Sequence, residues 1–67
     1  MTQEIYNQIS ELLTKPHTNQ NATTLINLYK KQNNKLNVGC LCKQANIDRA
    51  YHIIQNWFNT ITNDQIN

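Results

Sequence analysis

The sequence contains one glycine and one proline in 67 residues. All-β folds need such residues in the tight turn of every hairpin, so their scarcity argues against a sheet and favours helices. No apolar run approaches the roughly 18 residues that would predict a membrane span, and the N-terminus has neither the basic nor the apolar region of a signal peptide. We therefore expect a soluble, cytoplasmic, all-α protein without membrane contact.

The chain also lacks the length for an ordinary enzyme cleft. Its 67 residues predict a single domain, residues 1–67, that buries only about 60 % of the surface its unfolded form exposes. Such a domain has little room for a substrate pocket. The size therefore favours a binding module over an enzyme, and no cofactor is expected.

Cysteine is scarce, with only Cys40 and Cys42 present. Two cysteines this close cannot join distant parts of a fold, so we expect reduced thiols, with Cys42 as a small core residue. A zinc site with His17 and His52 is not expected, because residues two apart on a helix point about 200° from each other. No paired base marks Cys40 as a nucleophile, which also argues against an enzyme.

Apolar residues recur at helical spacing in four segments. Thr2 is placed to cap the first helix, and Pro16 forces that helix to end near residue 14. Asp48, a strong N-cap residue, is placed to begin the last helix. The pattern predicts a compact bundle of about four helices, over about 3–14, 22–33, 38–45 and 48–62.

The segment between the last two predicted helices predicts a sharp corner. Asn46 tolerates the left-handed conformation and precedes Ile47 and Asp48. Two short helices joined by a tight turn form a helix-turn-helix. In this segment the sequence resembles small, wingless helix-turn-helix DNA-binding proteins of phages and mobile elements. A second likeness, to the recognition helix in the winged-helix domain of bacterial DNA translocases, rests on Arg49, Ala50, Ile53 and Ile54.

Basic charge is concentrated in the middle of the chain. All six basic residues lie between Lys15 and Arg49, where Asp48 is the only acid, so that segment carries a net charge of +5. A phosphate-binding face requires such a concentration, although a solvated surface also accounts for it. The resemblance implies that the last helix enters the major groove of duplex DNA. It implies base contacts from Arg49, Tyr51, His52, Gln55, Asn56 and Asn59, and phosphate contacts from Lys30, Lys31, Lys35 and Lys43.

The leading functional hypothesis is a small DNA-binding protein, either a transcription regulator or an accessory factor for replication or recombination. A module this small would need a homodimer or a larger protein partner for specific binding, through Tyr6 or the aromatic end at Trp57 and Phe58. The alternative is a protein-interaction module that modulates a polymerase, helicase or nuclease. A third option is single-stranded nucleic-acid binding, with Tyr29 and Tyr51 as stacking platforms.

Overall fold

The computed structural model describes residues 2–32 and 34–61, which form three helices and no strand. The helices are α1 (Gln3–Leu13), α2 (Asn19–Lys30) and α3 (Gln44–Asn59). This confirms the all-α fold class. Residues 33 and 62, the predicted ends of two helices, lie outside the described part of the chain.

Side-chain caps determine where α1 and α2 begin. The Thr2 hydroxyl accepts a hydrogen bond from the Ile5 backbone N–H at 3.3 Å, so α1 begins as predicted. The Thr18 hydroxyl accepts the Asn21 N–H at 3.1 Å and caps α2, which therefore begins three residues earlier than predicted. Each cap satisfies one of the backbone donors that a helix leaves free in its first turn.

The fourth helix and the helix-turn-helix are not confirmed. The described residues from 34 to 43 contain no helix, and α3 begins at Gln44 and continues without a break through the predicted corner at 45–48. Lys43 is the N-cap residue of α3, with an extended backbone (φ −110°, ψ 130°) and no side-chain cap. The prediction that Asp48 begins the helix is wrong, because Asp48 lies in the second turn of α3.

Two residues explain why the segment before α3 is not helical. Gly39 has a φ of +83°, a left-handed conformation that a helix cannot contain. Asn46, the predicted turn residue, is helical, and its side-chain amide donates a hydrogen bond to the Cys40 carbonyl at 2.8 Å. The polar side chain therefore fastens the preceding segment to α3 and does not end a helix.

The core lies among the three helices. Ile9, Leu25 and Ile54 are fully buried, one from each helix. Burial of such side chains is the main favourable term in folding a domain of this size. The same cluster includes Leu12, Ala22, Tyr29, Ile47 and Tyr51.

Aromatic contacts join the helices at the end of α3. The rings of Tyr6 and Phe58 stack at 4.6 Å, and the Trp57 ring meets Tyr29 edge to face at 5.0 Å. These geometries are those that aromatic pairs prefer. The aromatic residues that we expected to form a dimer surface therefore make contacts within the chain.

Candidate functional site

One face of α3 carries four of the predicted base-contacting residues. Arg49, His52, Asn56 and Asn59 are all exposed. Residues three or four apart on a helix lie on the same side, so these four form one stripe along α3. No carboxylate lies among them. We call this stripe the α3 outer face.

Hydrogen bonds link side chains along the helix at this face. The Asn56 amide lies 3.3 Å from His52 Nε2, and the Gln55 amide donates to Asn59 Oδ1 at 2.9 Å. For Nε2 to accept from the Asn56 amide, the His52 ring must carry its proton on Nδ1. All of these bonds are at the surface, where a ligand or water can replace them at little cost.

Tyr51 does not lie on this face, and its prediction as a base contact is wrong. The residue is only 3 % exposed and belongs to the core. Its position, four residues after Ile47 and three before Ile54, places it on the buried side of α3. Burial also raises the pKa of the Tyr51 phenol. The structure likewise buries Tyr29, so neither ring can serve as a stacking platform for a base.

A polar cluster on the flank of α3 was not predicted. His17 Nδ1 lies 3.0 Å from Asp48 Oδ1, and the Gln44 amide donates to the same carboxylate oxygen at 3.0 Å. The Gln44 amide also donates to the His17 carbonyl at 3.0 Å, and the His17 ring stacks on Tyr51 at 3.9 Å. We call these four residues the His17 cluster. It fastens the loop between α1 and α2 to α3.

The His17 cluster also determines the electrostatics beside the α3 outer face. Hydrogen bonds from Gln44 and then from His17 lower the pKa of Asp48, so its carboxylate is held in the charged form. Its charge is engaged by these two partners, not by the neighbouring Arg49. Within the described residues Arg49 makes no ion pair.

The predicted phosphate-contacting lysines are all exposed. Lys30 and Lys31 lie at the C-terminal end of α2, where their charges also complement the helix dipole. Lys35 lies in the segment before α3, and Lys43 immediately precedes that helix. Lys30 lines a cleft of about 270 Å³ together with Asn37 and Gly39, so the end of α2 lies beside this segment.

The remaining lysine differs from these four. Lys15 Nζ lies 3.4 Å from Glu11 Oε1, one turn earlier in sequence. Both side chains are exposed, so the pair adds little stability, but Glu11 offsets the positive charge of Lys15. Among the described residues this is the only lysine in an ion pair.

The two cysteines form a disulfide with each other, so the prediction of reduced thiols is wrong for this structure. Their Cα atoms are 5.2 Å apart, and both residues are exposed. Cys42 is therefore not a core residue. The prediction failed because it considered only a disulfide between distant parts of the fold, whereas the turn at residues 41–42 lets these two neighbouring sulfur atoms meet. Within the described residues no three potential metal ligands come together.

Comparison of the chain with models of known protein families, with curated proteins and with solved structures finds no match. Across the described residues no helix combines the length and the apolar character that a membrane crossing requires.

Proposed function

We propose that this protein binds duplex DNA by inserting α3 into the major groove, as a small regulator or accessory factor. The observation that carries the proposal is the α3 outer face, where Arg49, His52, Asn56 and Asn59 are exposed along one side of a single helix. An α-helix fits the major groove. At 16 residues, α3 is about 24 Å long.

The side chains of this face have the right chemistry for base edges. An arginine can donate two hydrogen bonds to O6 and N7 of guanine, and an asparagine can pair bidentately with adenine. Arg49 has no competing ion pair within the described residues, because Asp48 is engaged by Gln44 and His17. This proposal needs no helix-turn-helix corner, since α3 alone supplies the groove-binding element.

Phosphate contacts would come from the lysines near the start of α3. Lys43 immediately precedes the helix, and Lys30 lies beside the segment that leads into it. Cations of this kind position a protein on the duplex without reading its sequence. The module is small, so specific binding would use two copies on two half-sites or a larger protein partner.

A second candidate is a protein-interaction module that binds a polymerase, helicase or nuclease. The observation in its favour is that Gln55 and Asn59 are already hydrogen-bonded to each other, as are His52 and Asn56. Arg49 is the only arginine or lysine on the α3 outer face. A face rich in amides and poor in charge suits a protein surface as well as it suits base edges.

A salt titration separates the two candidates. Binding to a labelled duplex of random sequence should weaken linearly in log–log form as salt rises, with a slope of about 0.9 for each phosphate neutralised. Lys43→Gln should reduce this slope by about 0.9, the contribution of one phosphate contact. The matched control is Lys15→Gln, which removes a lysine that Glu11 already partners and should leave the slope unchanged.

The result at low salt decides the outcome. Measurable binding with a salt-dependent slope supports the DNA-binding proposal. Absence of binding at low salt, where phosphate contacts are strongest, contradicts it and favours the protein-interaction module.

A further inference from the structure

The disulfide between Cys40 and Cys42 contributes little as a structural cross-link. It closes a loop across a single intervening residue, Leu41, and the entropy that a cross-link removes from the unfolded chain decreases as the loop shortens. Both cysteines are exposed at the surface. The pair is therefore accessible to reagents in solution and is not needed to connect distant parts of the fold.

Hydrogen bonds hold the backbone around the pair independently of the sulfur atoms. The Asn19 side-chain amide, from α2, donates to the Leu41 carbonyl at 2.9 Å. The Asn46 side-chain amide, from α3, donates to the Cys40 carbonyl at 2.8 Å. Two helices thus anchor the segment, so the S–S bond can open without loss of these contacts.

The surroundings of the two sulfur atoms are not equivalent. The Cys42 backbone N–H donates a hydrogen bond to Cys40 Sγ at 3.2 Å. A hydrogen bond from a backbone N–H becomes stronger when its acceptor gains negative charge. Cys40 is therefore the better leaving group of the two.

We propose that Cys40 and Cys42 form a thiol–disulfide exchange site that reacts with external thiols. The exchange is independent of DNA binding. Two exposed cysteines meet on a segment that Asn19 and Asn46 hold in place. The co-reactant is a thiol, carried either by a small molecule or by a cysteine pair in another protein.

The exchange balances in two steps. An external thiolate attacks Cys42 Sγ and forms a mixed disulfide, the Cys40–Cys42 bond breaks, and its electron pair leaves on Cys40 Sγ as a thiolate. A second external thiolate then attacks the external sulfur of the mixed disulfide, and Cys42 leaves as a thiolate. The external thiols are oxidised to a disulfide, the cysteine pair gains two electrons, and the two protons end on Cys40 and Cys42. An external disulfide reverses both steps.

The test measures the redox state of the full chain in buffers with set ratios of reduced to oxidised glutathione. Separate samples start from the oxidised and from the reduced protein. After equilibration, each sample is quenched with acid, its free thiols are alkylated, and its mass is measured by mass spectrometry. We expect both starting states to reach the same reduced fraction at each ratio, with an unchanged helical circular dichroism spectrum. Cys40→Ser and Cys42→Ser, each with one cysteine left, should lose this two-electron exchange.

Other outcomes overturn the proposal. These are cysteines that stay fully alkylatable at every ratio, a disulfide that forms between chains, or a pair that is reduced only after unfolding. A second arm adds catalytic amounts of the protein to a reduced peptide dithiol with oxidised glutathione. We expect peptide oxidation several-fold faster than with the Cys40→Ser/Cys42→Ser double variant.

The two arms also distinguish the source of the thiol. Exchange with glutathione alone assigns the site to small thiols, and faster peptide oxidation assigns it to protein thiols. Exchange in neither arm overturns the proposal. Limited alkylation of the reduced protein should modify Cys40 before Cys42, because the Cys42 N–H stabilises the Cys40 thiolate; equal modification would contradict the choice of leaving group.

Discussion

His17 Nδ1 and Asp48 Oδ1 lie 3.0 Å apart, although the two residues are separated by 31 positions in the sequence. This contact fastens the loop between α1 and α2 to the first half of α3. It also engages the carboxylate of Asp48, the residue that precedes Arg49 in the sequence. The contact therefore bears on both the stability of the fold and the charge of the α3 outer face.

The lowered pKa of Asp48 predicts a loss of stability in acid. A carboxylate with a lower pKa in the folded state stabilises the fold above its unfolded pKa, near the ordinary value of 3.8, and loses this contribution as pH falls through the folded value. Below pH 3.8 the unfolding free energy of the wild type should approach that of Asp48→Asn. Urea unfolding across this pH range measures the difference.

Gln44→Ala is the matched variant for this prediction, because the Gln44 hydrogen bond is the largest cause of the shift. It should keep the Asp48 charge but reduce the loss of stability in acid. A difference between wild type and Asp48→Asn that stays constant with pH would contradict the assignment.

Lys43→Ser should stabilise the protein by about 0.5–1 kcal/mol, because it supplies the side-chain cap that α3 lacks. The extended backbone of Lys43 (φ −110°, ψ 130°) already has the geometry of a capping residue. Thermal unfolding should show a rise of roughly 4–8 °C per kcal/mol in a domain of this size. A fall in the unfolding temperature would contradict this assignment. Serine is a weaker helix former than lysine, so the substitution would destabilise the protein if residue 43 lay inside a helix.

Ile54→Ala should cost about 2–5 kcal/mol, because Ile54 is fully buried and its truncation leaves a cavity. Asn56→Ala, two residues away and exposed, should stay within about 0.5 kcal/mol of the wild type. Chemical unfolding of both variants tests the orientation of α3. Similar losses from the two substitutions would mean that α3 does not face the core as described.

The sequence allowed prediction of the features that depend on local pattern. The spacing of Ile5, Ile9 and Leu12 predicts α1, and Thr2 marks its start because the capping hydrogen bond reaches only three residues ahead. The buried position of Ile54 also follows from helical periodicity alone. These features need no knowledge of distant parts of the chain.

The predictions that failed concern features that depend on distant contacts or on competing local preferences. Asp48 is a better cap residue than Lys43, so the sequence favoured an N-cap at Asp48, five residues after the observed N-cap at Lys43. The pairing of His17 with Asp48 joins residues 31 positions apart and leaves no periodic pattern. Gln44 and Asp48 have the spacing of a helical pair, which becomes visible only once α3 begins at residue 44.

Arg49→Ala and Lys30→Ala should weaken DNA binding in different ways. Arg49 lies on the α3 outer face, so its loss should relax the preference among duplex sequences, by about 1–3 kcal/mol at the affected base pair. Lys30 would contact phosphates, so its loss should weaken all sequences about equally and reduce the salt slope by about one. Competition binding with a pool of random duplexes measures both quantities. Equal effects of the two variants on sequence preference would contradict base recognition by α3.

The most direct test of groove binding by α3 is an NMR titration of the isotope-labelled protein with a duplex at low salt. We expect the backbone and side-chain signals of Arg49, His52, Asn56 and Asn59 to shift together, while those of the exposed residues Gln3, Asn7 and Gln8 on α1 stay in place. Shifts confined to α1, or no shift at any residue, would contradict groove binding by α3.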